Sequence, residues 1–388
     1  IPKRFELTLL GFLGMVNVYA MRVNLSVAMV AMAKQPDPDQ DSSSIACREL
    51  IQNTNSSSKS LEVNGEFDWD PSTQAMILGS FFYGYVLTQI PGGILAERYG
   101  AKWLFGIGVF ITSFFTLLTP VAARWSVPFL IFVRVMEGLG EGVTFPAMNV
   151  MIGRWAPKIE RSRTTAIIYS GSAVGNVISF AFSGIIIANI HWDAVFYIFG
   201  VCGIIWTAFW LMLVYETPES HPCITEEEIK KIRKEQDYQL WKKSPAPWCS
   251  ILKSCSVWAL VITHFGQNWG FYTLLTELPT YLARILHFDI RQNGLTSSAP
   301  YMFQAFFAIC GSIIADSWRK CDKNRINIIR KTFNSIAFFF PAILIGAVGF
   351  IGCESSIIIT LFLLAMGFNG FMHSGFNVTH VDMSPEFS

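Results

Sequence analysis

Apolar runs of about 20 residues recur along the whole chain, and a helix of that length crosses the hydrocarbon core of a bilayer. They account for a composition that is 52% hydrophobic and 15% charged over 388 residues. Only helices and closed barrels satisfy their own backbone amides within lipid. Barrel strands would alternate polar and apolar residues, and this sequence lacks that alternation. The runs therefore predict an all-α multispanning membrane protein.

Ten candidate spanning helices follow from these runs, with ends placed to within several residues. They lie near 5–33, 74–96, 103–123, 127–153, 164–189, 194–215, 257–286, 293–315, 332–352 and 356–383. Basic residues cluster in alternate loops, which the positive-inside rule assigns to the cytoplasm together with the N-terminus. The long polar loop 34–72 then lies on the lumenal or extracellular side. Its Asn55-Ser-Ser57 pattern predicts glycosylation of Asn55.

A polar linker separates the first six predicted spans from the other four. Its segment Thr225-Glu-Glu-Glu228 has the spacing of a capping box, with Thr225 as N-cap and Glu228 as the N3 partner. The predicted organisation is an N-terminal six-helix bundle in 1–215, a cytoplasmic linker with a short helix in 216–256, and a four-helix C-terminal part in 257–388.

Two copies of one short pattern close the second and the eighth predicted helix. Gly92-Gly-Ile-Leu-Ala-Glu97 and Gly311-Ser-Ile-Ile-Ala-Asp316 share glycine, alanine and an acid at one spacing. The two helices are six apart in the chain, so the pattern indicates a parallel duplication of a six-helix bundle. Transporters use this arrangement to build a central site of alternating access.

The fourth predicted helix carries Arg134, Glu137 and Glu141 inside an apolar run, and Arg22 lies near the middle of the first. A helix advances about 100° per residue, so offsets of three and seven share a face, about 10 Å from end to end. Ionisable groups at membrane depth cost several kcal/mol unless they pair or line a wet cavity. Two interpretations follow: structural ion pairs that lock helices together, or a substrate and proton site, which we favour.

In the favoured interpretation Arg22 and Arg134 hold an anion, because a guanidinium matches carboxylate or phosphate oxygens bidentately. In the alternative, Arg22 pairs with Glu137 or Glu141 only to hold the bundle together. Two like charges one turn apart disfavour joint ionisation, so one carboxyl is expected to keep a proton readily. We expect Glu137 and Glu141 to couple transport to a proton or cation, with Glu141 preferred as the proton carrier and Glu137 as the nearer partner of Arg134.

Two further patterns carry weaker signals. Asn268 and Tyr272, four residues apart in the seventh span, form a polar stripe that either lines the substrate path or hydrogen-bonds a neighbouring helix. Gly171 and Gly175 form a small-xxx-small pair, which predicts a packing seam between helices rather than a site.

Several function classes are excluded. No nucleophile–base set or phosphate loop is present, so the chain is not expected to be an enzyme. The eight cysteines show neither CxxC nor Cys/His metal spacing, and we expect no metal and no cofactor beyond a coupling H⁺ or Na⁺. No basic patch with interleaved aromatic residues suggests nucleic acid. The expected partners are a small anion and the lipid bilayer, with the protein a monomer.

The first copy of the repeat continues as Glu97-Arg98-Tyr-Gly100-Ala-Lys102. It resembles the loop signature of the major facilitator superfamily, in which glycine, an acid and basic residues follow one another across a tight turn. The resemblance implies two six-helix bundles and a cytoplasmic gate latched by Glu97, Arg98 and Lys102, with Asp316 in the second copy.

Six stretches carry narrower motifs: 20–26, 88–93, 134–146, 155–162, 268–272 and 375–385. Together they resemble the anion:cation symporter family, which contains sialin, the sodium-phosphate transporters of type one and the vesicular glutamate transporters. Members have twelve spans, so a chain that ends at Ser388 is expected to be a fragment whose second bundle lacks its last two helices. Gln267 replaces an arginine of the glutamate members, Glu137 is similar to sialin, and Asn149 replaces a histidine of sialin. The match is therefore to the sialin and phosphate-transporter side.

The resemblance implies a secondary active symporter of small organic or inorganic anions, such as sialic acid, other carboxylates or phosphate. A proton or sodium gradient would drive it through alternating access, in a lysosomal, vesicular or plasma membrane. The alternative is an anion channel with the charged face of the fourth helix along its pore. Saturable uptake stimulated by an ion gradient would support the carrier, and unitary currents would support the channel.

Overall fold

The computed structural model describes residues 2–34, 65–235, 248–321 and 326–376. Within these ranges the chain is almost entirely helical. The helices are α1 (Lys3–Met32), α2 (Pro71–Tyr99), α3 (Ala101–Trp125), α4 (Val127–Gly142), α5 (Thr144–Trp155), α6 (Lys158–Asn189), α7 (Trp192–Leu213), α8 (Glu226–Glu235), α9 (Trp248–Lys253), α10 (Cys255–Arg284), α11 (Ile290–Cys321), α12 (Ile326–Val348) and α13 (Ser355–Asn369). Asn55 lies outside the described residues.

Within the described residues, helices occur in all ten segments predicted to span a membrane; residues 377–383 of the tenth lie outside the described part. Seven helical segments of the described chain are long and apolar enough to do so. The predicted fourth span is divided into α4 and α5 by a turn at Val143. Pro146 explains the division, because its ring clashes with the carbonyl four residues earlier and it supplies no amide hydrogen to the helix. The three ionisable residues of this span all lie in α4, before the turn.

The chain divides into two compact units, of which the first contains α1 to α8. Within it α4 packs between α2 and α3, α3 packs on α7, and α1 packs on both α6 and α7. The face of α4 that carries its charged residues is therefore buried within the unit, whereas Phe132 of the same helix is exposed.

The contact between α1 and α6 is a close parallel seam. A Cβ atom added at Gly171 would overlap the backbone oxygen of Phe12, and one at Gly175 would lie 2.6 Å from that of Val16. One turn further, the Ser179 hydroxyl donates to the backbone oxygen of Ala20 at 2.8 Å. The contacts advance by four residues on both helices, so the register is constant. The predicted packing seam is confirmed.

The second unit contains α10 to α13. In it α13 packs against α11 and α12, and α10 packs on α11. A cluster of buried side chains joins the end of α10 to the start of α13: Leu278, Leu282, Leu286, Ile358 and Phe362.

The linker forms helix α8, as predicted, but the capping box is only half correct. The backbone amide of Glu228 donates to Thr225 Oγ1 at 3.4 Å, so Thr225 is the N-cap. The Glu228 carboxylate binds elsewhere, accepting from the backbone amides of Lys3 at 3.1 Å and Arg4 at 3.2 Å. The physical reason is that α1 follows Pro2, which gives no side-chain cap, and thus offers two amides without helical partners.

Candidate functional site

Four ionisable side chains, which we call the charge centre, meet in the interior of the first unit: Arg22, Arg134, Glu137 and Glu141. Arg22 of α1 donates through Nε to Glu141 Oε1 of α4 at 2.5 Å, and its Nη2 forms an ion pair with the same oxygen. Arg22 is 4% exposed and Glu141 is fully buried. The structure thus brings together residues that are 119 positions apart in the chain.

The second ion pair of the charge centre lies within α4. Arg134 pairs with Glu137, the partner predicted from the offset of three residues. Glu137 Oε1 also accepts a hydrogen bond from Thr119 Oγ1 of α3 at 2.9 Å. Because both of its oxygens have donors, Glu137 is held as a structural carboxylate.

Glu141 differs from Glu137 in one respect. Its second oxygen, Oε2, is buried and has no hydrogen-bond partner among the described residues. A buried acceptor without a donor is costly, and a carboxylate oxygen removes this cost by binding a proton. Proton carriage by Glu141 stays a prediction, and this difference in hydrogen bonding is the observation from which it is argued below.

Aromatic rings surround the Arg22 guanidinium. Its central carbon lies 4.5 Å from the ring centroid of Tyr19, 4.6 Å from that of Tyr85 and 5.3 Å from that of Phe81. Such rings attract a cation through their quadrupoles while excluding water. Sequence reasoning missed these three residues. The available signal was spacing, since Tyr19 precedes Arg22 by three residues and Phe81 and Tyr85 are four apart.

The two residues of the predicted polar stripe lie on α10, in the second unit. Asn268 is exposed and Tyr272 is half-buried, whereas the neighbouring Gln267 is buried. Gln267 and Asn369 exchange hydrogen bonds at 2.9 and 3.0 Å, and Gln304 donates to Asn369 Oδ1 at 2.9 Å. This amide triad joins α10, α11 and α13 without any charge. Gln304 was missed because one glutamine in an apolar helix gives no pattern.

The residues predicted to form a gate lie at the turn from α2 to α3. Glu97 and Arg98 are exposed, while Lys102 is buried, with its ammonium 5.0 Å from the Tyr215 ring centroid. Gly100 makes the reversal with φ of 106°, a backbone conformation that favours glycine. The side chain of Asp316 lies outside the described part of the structure.

Glu216 completes this turn and was missed by sequence reasoning. It accepts from the backbone amides of Ala101 at 2.8 Å and Lys102 at 2.9 Å, and it forms an ion pair with Arg154. It therefore caps α3, whose N-cap residue Gly100 has no side chain. Across the described ranges, no cluster of three His, Cys, Asp or Glu side chains is placed to hold a metal ion.

Comparison with known proteins agrees with this architecture. A sequence model of the Major Facilitator Superfamily matches residues 11–388. The chain is 43% identical to sialin of Homo sapiens over 390 residues, which cover 99% of this chain and 78% of sialin. It is 36% identical to vesicular glutamate transporter 2 of Bos taurus over 393 residues, covering 100% of this chain and 65% of that transporter.

Solved structures of low sequence identity share the fold. A bacterial homologue of the human lysosomal transporter Spinster superposes with a TM-score of 0.67 at 17% identity, covering 98% of this chain and 75% of that chain. The xylose transporter of E. coli, in a partially occluded inward-open conformation, superposes with a TM-score of 0.67 at 14% identity, covering 99% and 85%.

Proposed function

Because this chain belongs to the major facilitator superfamily, in the group of sialin and the vesicular glutamate transporters, we propose that it is a symporter of small organic or inorganic anions. Membership makes it a multi-pass membrane transporter and not an enzyme. Symport, the coupling cation and the identity of the anion are the parts that we propose.

The observation that carries the proposal is the balance of charge around Arg22. The charge centre holds two arginines and two glutamates, each arginine paired with one glutamate. Charges buried at this depth cost several kcal/mol unless they are compensated. An anion that binds Arg22 must displace Glu141, which would leave the displaced carboxylate buried and unpaired. A cation on Glu141 removes that cost.

For the Arg22–Glu141 pair, two occupancies are therefore neutral. In one, Arg22 is paired with ionised Glu141 and the site is empty. In the other, Arg22 holds the anion and Glu141 holds the cation. States with one ligand carry a net buried charge and are disfavoured, so anion and cation cross together as the two bundles alternate in access.

We propose a proton as the coupling cation. Glu141 offers one buried oxygen without a hydrogen-bond partner among the described residues. A proton needs only one such oxygen, whereas a hard metal cation takes several oxygen ligands.

For the anion we propose a small carboxylate, with phosphate as the second candidate, because both fit the guanidinium fork. We propose a lysosomal, vesicular or plasma membrane, with the N-terminus and linker in the cytoplasm. The name of the vesicular glutamate transporter supports a vesicular membrane, and the loop charges support the orientation.

Uptake into proteoliposomes tests this proposal. Purified protein is supplied with sialic acid, glutamate, urate or phosphate under separate proton and sodium gradients. We expect saturable uptake of at least one anion, driven by the proton gradient, and we expect its loss in Arg22→Ala. Arg124→Ala is the matched control, because Arg124 lies on the surface and pairs with Glu66 and Asp193. Unitary anion currents in place of saturable uptake would refute the carrier.

A further inference from the structure

A carboxylate from the linker caps the helix that carries Arg22. Helix α1 begins after Pro2, so its first backbone amides have no partner in the helix and no side-chain cap from the preceding residue. Both oxygens of Glu228 supply the missing acceptors, one to Lys3 and the other to Arg4. The side chain of Glu228 is 8% exposed, so solvent screens this contact little.

The charge of Glu228 suits this position for a second reason. The amino end of a helix carries partial positive charge, which a carboxylate stabilises and a basic residue does not. Here the first two residues of α1, Lys3 and Arg4, are themselves basic. Glu6 of the same helix pairs with Lys3 at 2.6 Å, which leaves the terminal amides and Arg4 to acids from elsewhere in the chain.

Arg4 extends this contact to a third helix. Its Nη1 lies 3.8 Å from Glu228 Oε1 of α8, and its Nε lies 3.0 Å from Glu160 Oε2 in the first turn of α6. Lys231 of α8 closes the ring by pairing with Glu160 Oε1 at 2.9 Å. We call these four residues, Arg4, Glu160, Glu228 and Lys231, the linker clamp. Its two acids and two bases balance in charge.

Apolar packing holds α8 at the same place. Ile232, one turn after Glu228 on the same face of the helix, is 1% exposed. Glu228 accepts hydrogen bonds from the first amides of α1. The adjacent Glu227 is exposed instead.

We propose that Glu228 is a positioning residue for transport, which fixes the linker to the α1–α6 pair so that Arg22 moves with the linker as one body. The inference rests on the proposed function. The clamp joins α8 to the first turns of α1 and α6, and the constant register from Phe12 to Ala20 joins those two helices as far as the turn before Arg22. The chain then runs from α8 into the second unit. Helix α8, fixed to the first turns of α1 and α6, therefore moves with the helix pair that carries Arg22.

This arrangement predicts a defect in turnover and not in binding. Glu228 lies about 27 Å along α1 from Arg22, too far to contact an anion at the charge centre. In Glu228→Ala we expect the maximal rate of uptake to fall about fivefold, the factor that corresponds to loss of a typical helix cap, while the KM for the anion stays unchanged. Glu228→Gln keeps one acceptor oxygen without the charge and should restore part of the rate.

Limited trypsin digestion of the reconstituted protein measures the clamp without any substrate. Cleavage after Lys230, inside α8, requires that helix to open locally. We expect cleavage about fivefold faster in Glu228→Ala than in the wild type, and no change in Glu227→Ala, the matched control. Equal cleavage rates in all three proteins would overturn the clamp.

The two measurements separate the two proposals. Faster cleavage with unchanged uptake kinetics would overturn the positioning role of Glu228. Faster cleavage with a raised KM would also overturn it, because a change in affinity places the effect at the anion site. Absence of uptake of every anion by the wild type would overturn the proposed function, and the cleavage rates would still decide whether Glu228 holds the linker.

Discussion

At the scale of single residues, the degree to which an ion pair is buried decides its role. Arg22 and Arg124 each pair with carboxylates, but Arg22 is almost fully buried and the Arg124 side chain is 41% exposed. Water and salt screen the surface pair, which therefore contributes little to stability. Water and salt do not screen the buried Arg22–Glu141 pair in this way. Any ligand that separates Arg22 from Glu141 must replace the lost charge.

Replacement of Glu141 by glutamine should separate anion movement from the proton gradient. The glutamine side chain cannot bind or release a proton, yet it keeps the size of glutamate and removes the carboxylate charge that competes with an anion for Arg22. We expect Glu141→Gln to exchange anion across the membrane but to show no accumulation driven by pH. Counterflow and gradient-driven uptake, compared in the same proteoliposomes, measure the two properties. Accumulation equal to the wild type would contradict the role of Glu141.

Removal of Glu137 should lower stability more than removal of a surface acid. Glu137→Ala leaves Arg134 buried without its ion-pair partner, which costs about 3–5 kcal/mol. Glu66→Ala, which removes the surface partner of Arg124, should cost about 1 kcal/mol or less. Denaturant unfolding in detergent compares the free energies. Similar losses in the two variants would show that Arg134 finds another partner or water.

At the scale of helices, glycine decides how closely α1 and α6 approach. The added Cβ of Gly171 would meet the backbone of Phe12 and not a flexible side chain, so relief requires the helices to separate. In lipid, such close packing replaces the hydrophobic driving force that acts between helices in water. The seam is therefore a principal contact of the first unit.

Gly171→Ala should destabilise the first unit by about 1–3 kcal/mol, the usual cost of overpacking a close contact. Gly79→Ala is the matched control, because a Cβ at Gly79 of α2 would have no neighbour within 4 Å. Alanine suits a helix better than glycine, so the control should be neutral or more stable by up to about 1 kcal/mol. Thermal unfolding of both variants in one detergent makes the comparison. A stable Gly171→Ala variant would contradict the seam geometry.

At the scale of the whole molecule, the linker segment 216–235 is part of the first unit and not a free tether. Helix α8 belongs to that unit, and the linker clamp joins it to α1 and α6. The hydrogen bond from Lys231 and the charge of Arg4 hold the pKa of Glu160 below its usual range, against the opposing effect of burial. A carboxyl with a lowered pKa stabilises the folded form above its unfolded pKa of about 4.3.

The clamp should therefore loosen in acid. The stabilisation that Glu160 contributes to the folded form is fully present near neutral pH. It begins to decline below the unfolded pKa of about 4.3, and it is lost as the pH falls through the lower pKa of the folded state. Hydrogen–deuterium exchange of residues 226–235, corrected for intrinsic rates, should show protection at about pH 7 and less at about pH 3. In Glu160→Gln this part of the pH dependence should disappear. Equal protection at both pH values in the wild type would contradict the assignment.

The sequence by itself determined what depends on near neighbours in the chain. The length of the apolar runs placed the helices, the helical period put Arg134, Glu137 and Glu141 on one face, and the spacing of Gly171 and Gly175 indicated a seam. Local chemistry also identified Thr225 as an N-cap.

Only the tertiary structure decided which distant groups meet. Arg22 had two candidate acids one turn apart, and the tertiary structure placed its side chain on Glu141. Glu228 had a local partner in its own capping box, yet it binds the start of α1. The physical reason is that periodicity specifies the direction of a side chain from its own helix, whereas the partner depends on the register and depth at which two helices pack.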